Sequence, residues 1–248
     1  MLSSFGQKVA FKEIKMYADR KYFNPKKPYI TIIYPIVVTQ NKKVEKIIND
    51  KIKDEMYAVE PNEDIRKKLR EEINVGLTDV SYEVTFKEKD ILSFSIFTER
   101  SGGNHLVQDM HYFNFDLNSG EPIELSDLIS NDKIDSFKTK VFHDRNDSID
   151  KYKKEEIVSI KNNIIDSTDY KWILELLEED NIVSKSFGET FVLSDSGIEI
   201  IEPIEFPSAI RSQEPSFHLK YSFSSLKSYL KPKYLFLSKS NSRRSITP

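Results

Sequence analysis

The segment from Ile91 to Leu128 constrains this chain more than any other. Leu92, Phe94 and Ile96 alternate with Ser93 and Ser95, the period of a strand with one buried face and one wet face. Ser101-Gly102-Gly103-Asn104-His105 interrupts that pattern. Tyr112-Phe113-Asn114-Phe115-Asp116-Leu117 then resumes a strand, which the turn Asn118-Ser119-Gly120 closes. Upstream, Val80-Ser81-Tyr82-Glu83-Val84-Thr85-Phe86 carries the same alternation. Links this short suit hairpins, because parallel neighbours need a crossover of about a dozen residues or more. An antiparallel meander is therefore predicted at the centre of the chain.

Other elements gather around it. Two strands are predicted at Val9–Tyr17 and Tyr29–Val38, with an edge, bulge or end at Pro35, which has no N–H to give. Asn41 opens a helix whose Val44, Ile47, Ile48, Ile52 and Met56 recur at spacings of three and four. Glu60-Pro61-Asn62 breaks it. Ile65, Leu69 and Ile73 form a second stripe, and Gly76 is its stop signal. Residues 124–183 turn helical: a short turn at Leu125-Ser126-Asp127-Leu128-Ile129, a helix near Lys133–Val141, and one or two more between Tyr152 and Leu177. Asp166-Ser167-Thr168-Asp169 divides the last pair, since these residues favour helix N-caps. A hairpin follows, with Phe191-Val192-Leu193 and Ile198-Glu199-Ile200-Ile201 flanking Asp195-Ser196-Gly197. A last strand near Phe217–Tyr221 precedes a short helix at Ser224–Leu230, and the polar tail 238–248 is expected to be disordered. The fold class is α+β, with antiparallel sheets, amphipathic helices packed on one face and β-α-β-α-β order. The expected divisions are an N-terminal strand and linker (1–28), a strand-plus-helix subdomain (29–78), a β-meander/helix/β subdomain (79–237) and the tail.

Composition narrows the function classes. The 37 basic and 40 acidic residues are interspersed and leave a formal charge of -3, so the one-sided basic excess of a nucleic-acid binder is missing. The lysines of Lys12–Lys27 and Lys151–Lys154 have acidic neighbours and read as solvated faces. Seven glycines in 248 residues argue against a glycine-rich nucleotide loop. With no cysteine there is no disulfide scaffold, thiolate zinc site or cysteine nucleophile. No apolar run approaches the roughly 18–20 residues that span a bilayer. Met1-Leu2-Ser3-Ser4-Phe5-Gly6-Gln7-Lys8 lacks the basic start and apolar middle of a secretion signal.

The order Gly102-Gly103-Asn104-His105, Tyr112 to Gly120, Leu125-Ser126-Asp127-Leu128-Ile129 resembles the central motif of one family. Phe191 to Ile198, Tyr221-Ser222-Phe223-Ser224-Ser225-Leu226-Lys227 and the strand-plus-helix from Tyr29 to Tyr57 agree with it. That family is the RsiV-like extracytoplasmic domain of unknown function, the outer part of lysozyme-sensing anti-sigma factors and an accessory domain beside some peptidoglycan deacetylases. The resemblance spans roughly residues 28–235. Neither the sigma-binding segment and membrane span of the first group nor the catalytic domain of the second is present in this sequence. Asn104 stands where the family motif usually has a small residue, Gly-Gly-Ala-His. The resemblance implies the sensor-like fold at a cell envelope, in the periplasm or on the cell surface. The bare N-terminus, if it is the true one, implies the cytoplasm instead.

Two glycines followed by a histidine offer exposed N–H groups and an imidazole, so Gly102, Gly103, Asn104, His105 and His111 are the candidate ligand-binding residues. The plain structural reading of the same loop is a bend between two long strands. On a continuous strand His105, Asp109 and His111 share one face and Asp116 takes the other, a spacing that matches no zinc or hydrolytic motif. Asp116 and Asp127 read as turn and cap residues. No Gly-x-Ser-x-Gly elbow and no phosphate loop is present. No catalytic residue, metal or cofactor is expected. Tyr82, Tyr112 and Tyr221 could stack on sugars or on a protein, although alternating aromatics normally bury. The leading expectation is a non-catalytic envelope binding domain for a protein such as a lysozyme-like hydrolase, or for a cell-wall glycan. The alternatives are a wall-glycan hydrolase or deacetylase using the Gly102–His105 region, and an inhibitor or immunity protein. Oligomeric state is left open.

Overall fold

The computed structural model of the protein describes residues 8–19, 29–58, 63–102, 105–161, 171, 175, 190–203 and 216–240. The chain forms two compact units, Met1–Ile123 and Glu124–Pro248. The first contains β1 (Val9–Asp19), β2 (Tyr29–Thr39), α1 (Lys42–Tyr57), α2 (Ile65–Asn74), β3 (Leu77–Glu88), β4 (Ile91–Gly102) and β5 (His105–Asp116). They build one five-stranded sheet in the order β1-β2-β3-β4-β5. The meander β3-β4-β5 is antiparallel, and so is the β1-β2 ribbon. The two halves join in parallel through Thr31–Asp79 and Ile32–Val80, with α1 and α2 as the crossover. The sheet thus runs on through residues 78–79, where the sequence suggests a subdomain division.

Local chemistry sets α1 and α2. Asn41 is extended (φ -89°, ψ 104°), and its side-chain oxygen accepts the N–H groups of Lys43 and Val44. Val44, Ile48, Ile52 and Met56 are buried, and Ala58 ends the helix in the left-handed conformation. Asp64 caps α2 by accepting Arg66 N–H, and Gly76 at φ +121° turns the chain into β3. The helical stripes pack with Ile32, Val80, Leu92, Phe94, Ile96, Phe113 and Phe115 in one core. In it the Phe94 and Phe113 rings stack at 5.2 Å.

Strand β2 shows how a helix completes a sheet. Beyond Ile32 it has no strand neighbour on the β3 side among the described residues. There the Asn49 carboxamide of α1 accepts Val37 N–H (2.9 Å) and donates to Val37 C=O (2.8 Å), taking the place of a strand. Glu45 accepts Thr39 N–H in the same way (2.9 Å). Pro35 is two residues before Val37, so in a regular strand its nitrogen faces the same open side, where no ladder bond is lost. This is the edge expected at Pro35. Asn49→Ala leaves both Val37 groups buried and unpaired. It is expected to cost about 1–3 kcal/mol in urea denaturation; a loss within about 0.5 kcal/mol would contradict the pairing.

Ser93 and Ser95 do not face water. Both are buried, because β4 is an interior strand covered on both sides from Ile91 to Ile96. A lateral chain satisfies the hydroxyl: Thr85 Oγ1 donates to Ser93 Oγ (3.1 Å), which donates to Asn114 Oδ1 (2.7 Å).

The second unit holds α3 (Leu125–Leu128), a 3₁₀ turn (Asn131–Lys133), α4 (Ile134–Lys161), β6 (Phe191–Leu193), β7 (Gly197–Pro203), β8 (Ser216–Ser222), a second 3₁₀ turn (Pro232–Tyr234) and α5 (Leu237–Ser240). The antiparallel sheet β6-β7-β8 contains the expected hairpin. Where separate helices were expected at 133–141 and from 152, α4 runs unbroken. No Gly or Pro falls between them, the Lys140–Asp144 pair (2.8 Å) links adjacent turns, and Arg145 and Ile149 are buried. The division expected at Asp166–Asp169 lies outside the described residues. Ser224–Leu230 is a run of turns, not a helix. Ser222 Oγ accepts Ser225 N–H and Ser225 Oγ donates to Ser222 C=O, side-chain bonds that compete with helical ones. Of the tail, Ser238–Ser240 belongs to α5, and 241–248 lie outside the described residues.

Candidate functional site

Strands β4 and β5 pair without a slip from Ile91–Asp116 to Gly102–His105. Gly102 and His105 are therefore the closing pair of a two-residue hairpin loop. Gly103, Asn104 and the His105 side chain lie outside what is described. His111 sits further down β5, opposite Ile96. Because β5 is one strand, Asp109 and His111 share the side of Phe113 and Phe115, and Asp116 has the opposite parity.

The loop end of this hairpin is tied to the elements beside it. Ser101 N–H donates to Gly76 C=O (2.8 Å). A Cβ on Gly76 would stand 2.6 Å from the Ser101 carbonyl oxygen, so only glycine allows that approach. Thr78 Oγ1 donates to the Glu99 C=O (3.0 Å). Arg100, on the core side of β4, bonds the Glu72 carboxylate of α2 and lies 5.8 Å over the Tyr57 ring. Lys68 also reaches Glu72 (2.9 Å). Burial pushes the Glu72 carboxyl up, but the hydrogen bonds and charges of Lys68 and Arg100 hold it below its ordinary value. Beneath this group the Tyr34 and Tyr57 rings are 6.3 Å apart, and burial raises both phenols. Neither hydroxyl has a hydrogen-bond partner among the described residues.

His111 is half-buried at the edge of the same cluster. Burial lowers its pKa below 6.5, the Asp109 and Glu55 carboxylates pull it back, and the Arg100 charge lowers it further. Its ring makes no hydrogen bond among the described residues. The geometry gives a neutral imidazole beside a structural ion pair. Below about pH 6.5 the unfolded chain takes up a proton that the folded chain resists, so stability falls as pH drops from there toward the lowered folded value. Above that window His111 contributes no slope. His111→Asn should flatten this part of a stability–pH series, and an NMR titration should place the His111 midpoint below 6.5. A midpoint above it would refute the burial account.

The opposite side of β5 carries Leu106 (62% exposed) and Met110 (45% exposed). The aromatics weighed as stacking surfaces are engaged in packing, the default for alternating aromatics. Tyr82 stacks on Phe11 at 5.2 Å and donates to Glu13 (3.2 Å), and Tyr112 is half-buried. Tyr221 is 6% exposed and donates to Asp144 (2.7 Å). Among the described residues no three His, Asp or Glu side chains are placed to hold a metal ion. An open groove of about 620 Å³ lies elsewhere, lined by Lys8, Val9, Ala10, Val38, Thr39, Gln40 and Lys87, without a histidine or carboxylate.

Sequence reading missed Arg100, Glu72 and Tyr57 as a group, and Leu106 with Met110. One signal was available: Arg100 has the parity of Phe94 and Ile96, and a charge at an inward position needs a partner.

No protein-family model matches the chain, and no curated protein matches it. Solved structures do. The chain is similar to a member of the DUF3298 family from Bacteroides fragilis, at 14% identity and a TM-score of 0.53, over 96% of this chain and 98% of that one. It is also similar to a DUF3298 family protein from Pseudomonas aeruginosa, at 10% identity and a TM-score of 0.51, over 92% and 96%. The fold is thus one found in proteins of a domain-of-unknown-function family. No helix among the described residues is long and apolar enough to cross a membrane.

Proposed function

We propose that the chain is a non-catalytic binding domain of the bacterial envelope type, and that the exposed face of β5 in the β4–β5 hairpin receives a protein partner of the lysozyme-like hydrolase class. One observation carries this reading. The loop end of β4 is locked through Gly76, Thr78 and Glu72, while its partner strand β5 presents Leu106 and Met110 to solvent. A preorganised arm with exposed apolar side chains binds at small entropic cost. A protein partner is favoured over a glycan because the Tyr82 and Tyr221 rings are committed to packing. The envelope setting rests on the resemblance to RsiV-like domains.

The test is titration of the purified protein with a lysozyme panel and with wall fragments. Saturable binding to a lysozyme without turnover, weakened at least about tenfold by Leu106→Asp or Met110→Asp, supports the reading; tenfold corresponds to about 1.4 kcal/mol. Loss of lysozyme activity on binding would mark the domain as an inhibitor. Release of acetate or reducing sugar, abolished by His105→Ala, would replace it with the deacetylase or hydrolase alternative.

A further inference from the structure

We propose that two copies of the chain pair edge to edge through β5, as an antiparallel two-fold dimer centred on Gln108. Strand β5 is an edge of the five-stranded sheet. Its outer rim is covered at one end, where Ile123 N–H donates to Asn114 C=O (2.7 Å) and Asp116 N–H donates to Glu121 C=O (3.0 Å). These bonds identify the even-numbered residues as those whose main-chain groups face outward. Leu106, Gln108 and Met110 continue that row, and among the described residues nothing pairs with their N–H and C=O groups.

Such a row is a template for another strand, and natural edges are commonly blunted by Lys, Pro or a bulge. Residues 105–112 contain no Lys and no Pro, and their register with β4 has no irregularity. The other edge, β1, is defended. It carries Lys12 and Lys15, and Lys87 Nζ donates to the Val9 C=O (3.1 Å).

A second copy is the occupant that the row fits, because the row is self-complementary in one register. Centred on Gln108, Leu106 faces Met110 of the second copy and Gln108 faces Gln108. Outward groups meet outward groups, so each facing pair exchanges both N–H···O=C bonds. On this register the exposed apolar side chains of the two copies become neighbours on one sheet face, and each Asp109 faces a Val107. A centre on Asp109 would oppose two carboxylates at the closest cross-strand spacing. A centre on Met110 would set Leu106 against Asn114, whose C=O already serves Ile123. A centre on Val107 would set Met110 against position 104, before the start of β5. The pairing rests on the strand edge and is independent of the partner proposed above. Its test uses Gln108, and that reading's test uses the Leu106 and Met110 side chains.

The chain has no cysteine, so Gln108→Cys gives a single reporter. In the proposed register the two Cα atoms lie about 5.5 Å apart, within the roughly 4.4–6.8 Å that a disulfide spans. Mild oxidation should yield a covalent dimer from Gln108→Cys. Leu106→Cys or Met110→Cys alone should not give one, whereas a mixture of those two variants should. Sedimentation equilibrium of the unmodified chain should show a concentration-dependent dimer. Gln108→Pro, which removes an N–H that β4 does not use, should weaken it at least tenfold without altering the circular dichroism spectrum. Gln108→Lys is the second variant should the proline disturb folding. A chain that stays monomeric with no Gln108→Cys cross-link would overturn the proposal, as would a dimer indifferent to both variants. Capture of a different chain along this edge, without self-association, would overturn it too.

Discussion

Truncating Phe94 to alanine is expected to remove about 3–5 kcal/mol of stability, the usual range for a buried phenylalanine. Phe94 is fully buried at the centre of β4, with the rings of Phe11, Phe113 and Phe115 at 5.4, 5.2 and 6.2 Å. Those neighbours are anchored on two other strands, Phe11 on β1 and Phe113 and Phe115 on β5, so they cannot all close into the space left behind. The cost is therefore placed toward the top of that range. A denaturant midpoint that falls steeply with an unchanged slope would bear this out. A loss below about 1 kcal/mol would mean that the core collapses around the gap.

Gly197→Ala should be still more damaging. An added Cβ would lie 2.0 Å from the Tyr221 carbonyl oxygen and 2.8 Å from its carbonyl carbon, with Ser222 Cα at 2.9 Å. All of these are main-chain atoms of the paired strand, so no rotamer change relieves the contact. The strands must separate where Gly197 pairs with Ser222, and the loss should exceed the about 1–3 kcal/mol of ordinary overpacking. Gly120→Ala is the informative comparison. Its nearest neighbours are Ile47 Cβ and Val44 C=O at 3.1 Å, with φ at +81°, so a smaller loss is expected there. A Gly197→Ala protein that melts within a few degrees of the parent would show that β7 and β8 do not approach this closely.

Much of the first unit was legible because its signals are local. Asn41 as a cap, the stripe from Val44 to Met56, Gly76 as a stop and the alternation of the meander each follow from residues within a few positions of one another. The parallel seam between β2 and β3 is not local, and no pattern in Thr31 or Asp79 announces it. Ser93 and Ser95 misled because alternation assumes water on the second face, and an interior strand need not have it. Ser224–Leu230 misled because its apolar spacing suits a helix while its serines bond their own backbone. At the candidate site the Gly-Gly break placed the hairpin correctly. The Arg100–Glu72–Tyr57 group joins positions far apart in sequence, and no spacing rule connects them. The exposure of Leu106 and Met110 follows from β5 being an edge, which is a property of the whole sheet.

That seam also governs how the first unit opens. Strand β2 meets β3 through Thr31 and Ile32 alone among the described residues, whereas β4 meets β5 along its full length. A fluctuation that parts Thr31 from Asp79 and Ile32 from Val80 releases the β1-β2 ribbon as a body and leaves the three-stranded meander closed. Amide protons of β4 should then exchange with solvent only through global unfolding, and those at the seam through a smaller and more frequent event. The sheet is continuous in space but divided in cooperativity, with the hairpin that carries the candidate surface on the slower side.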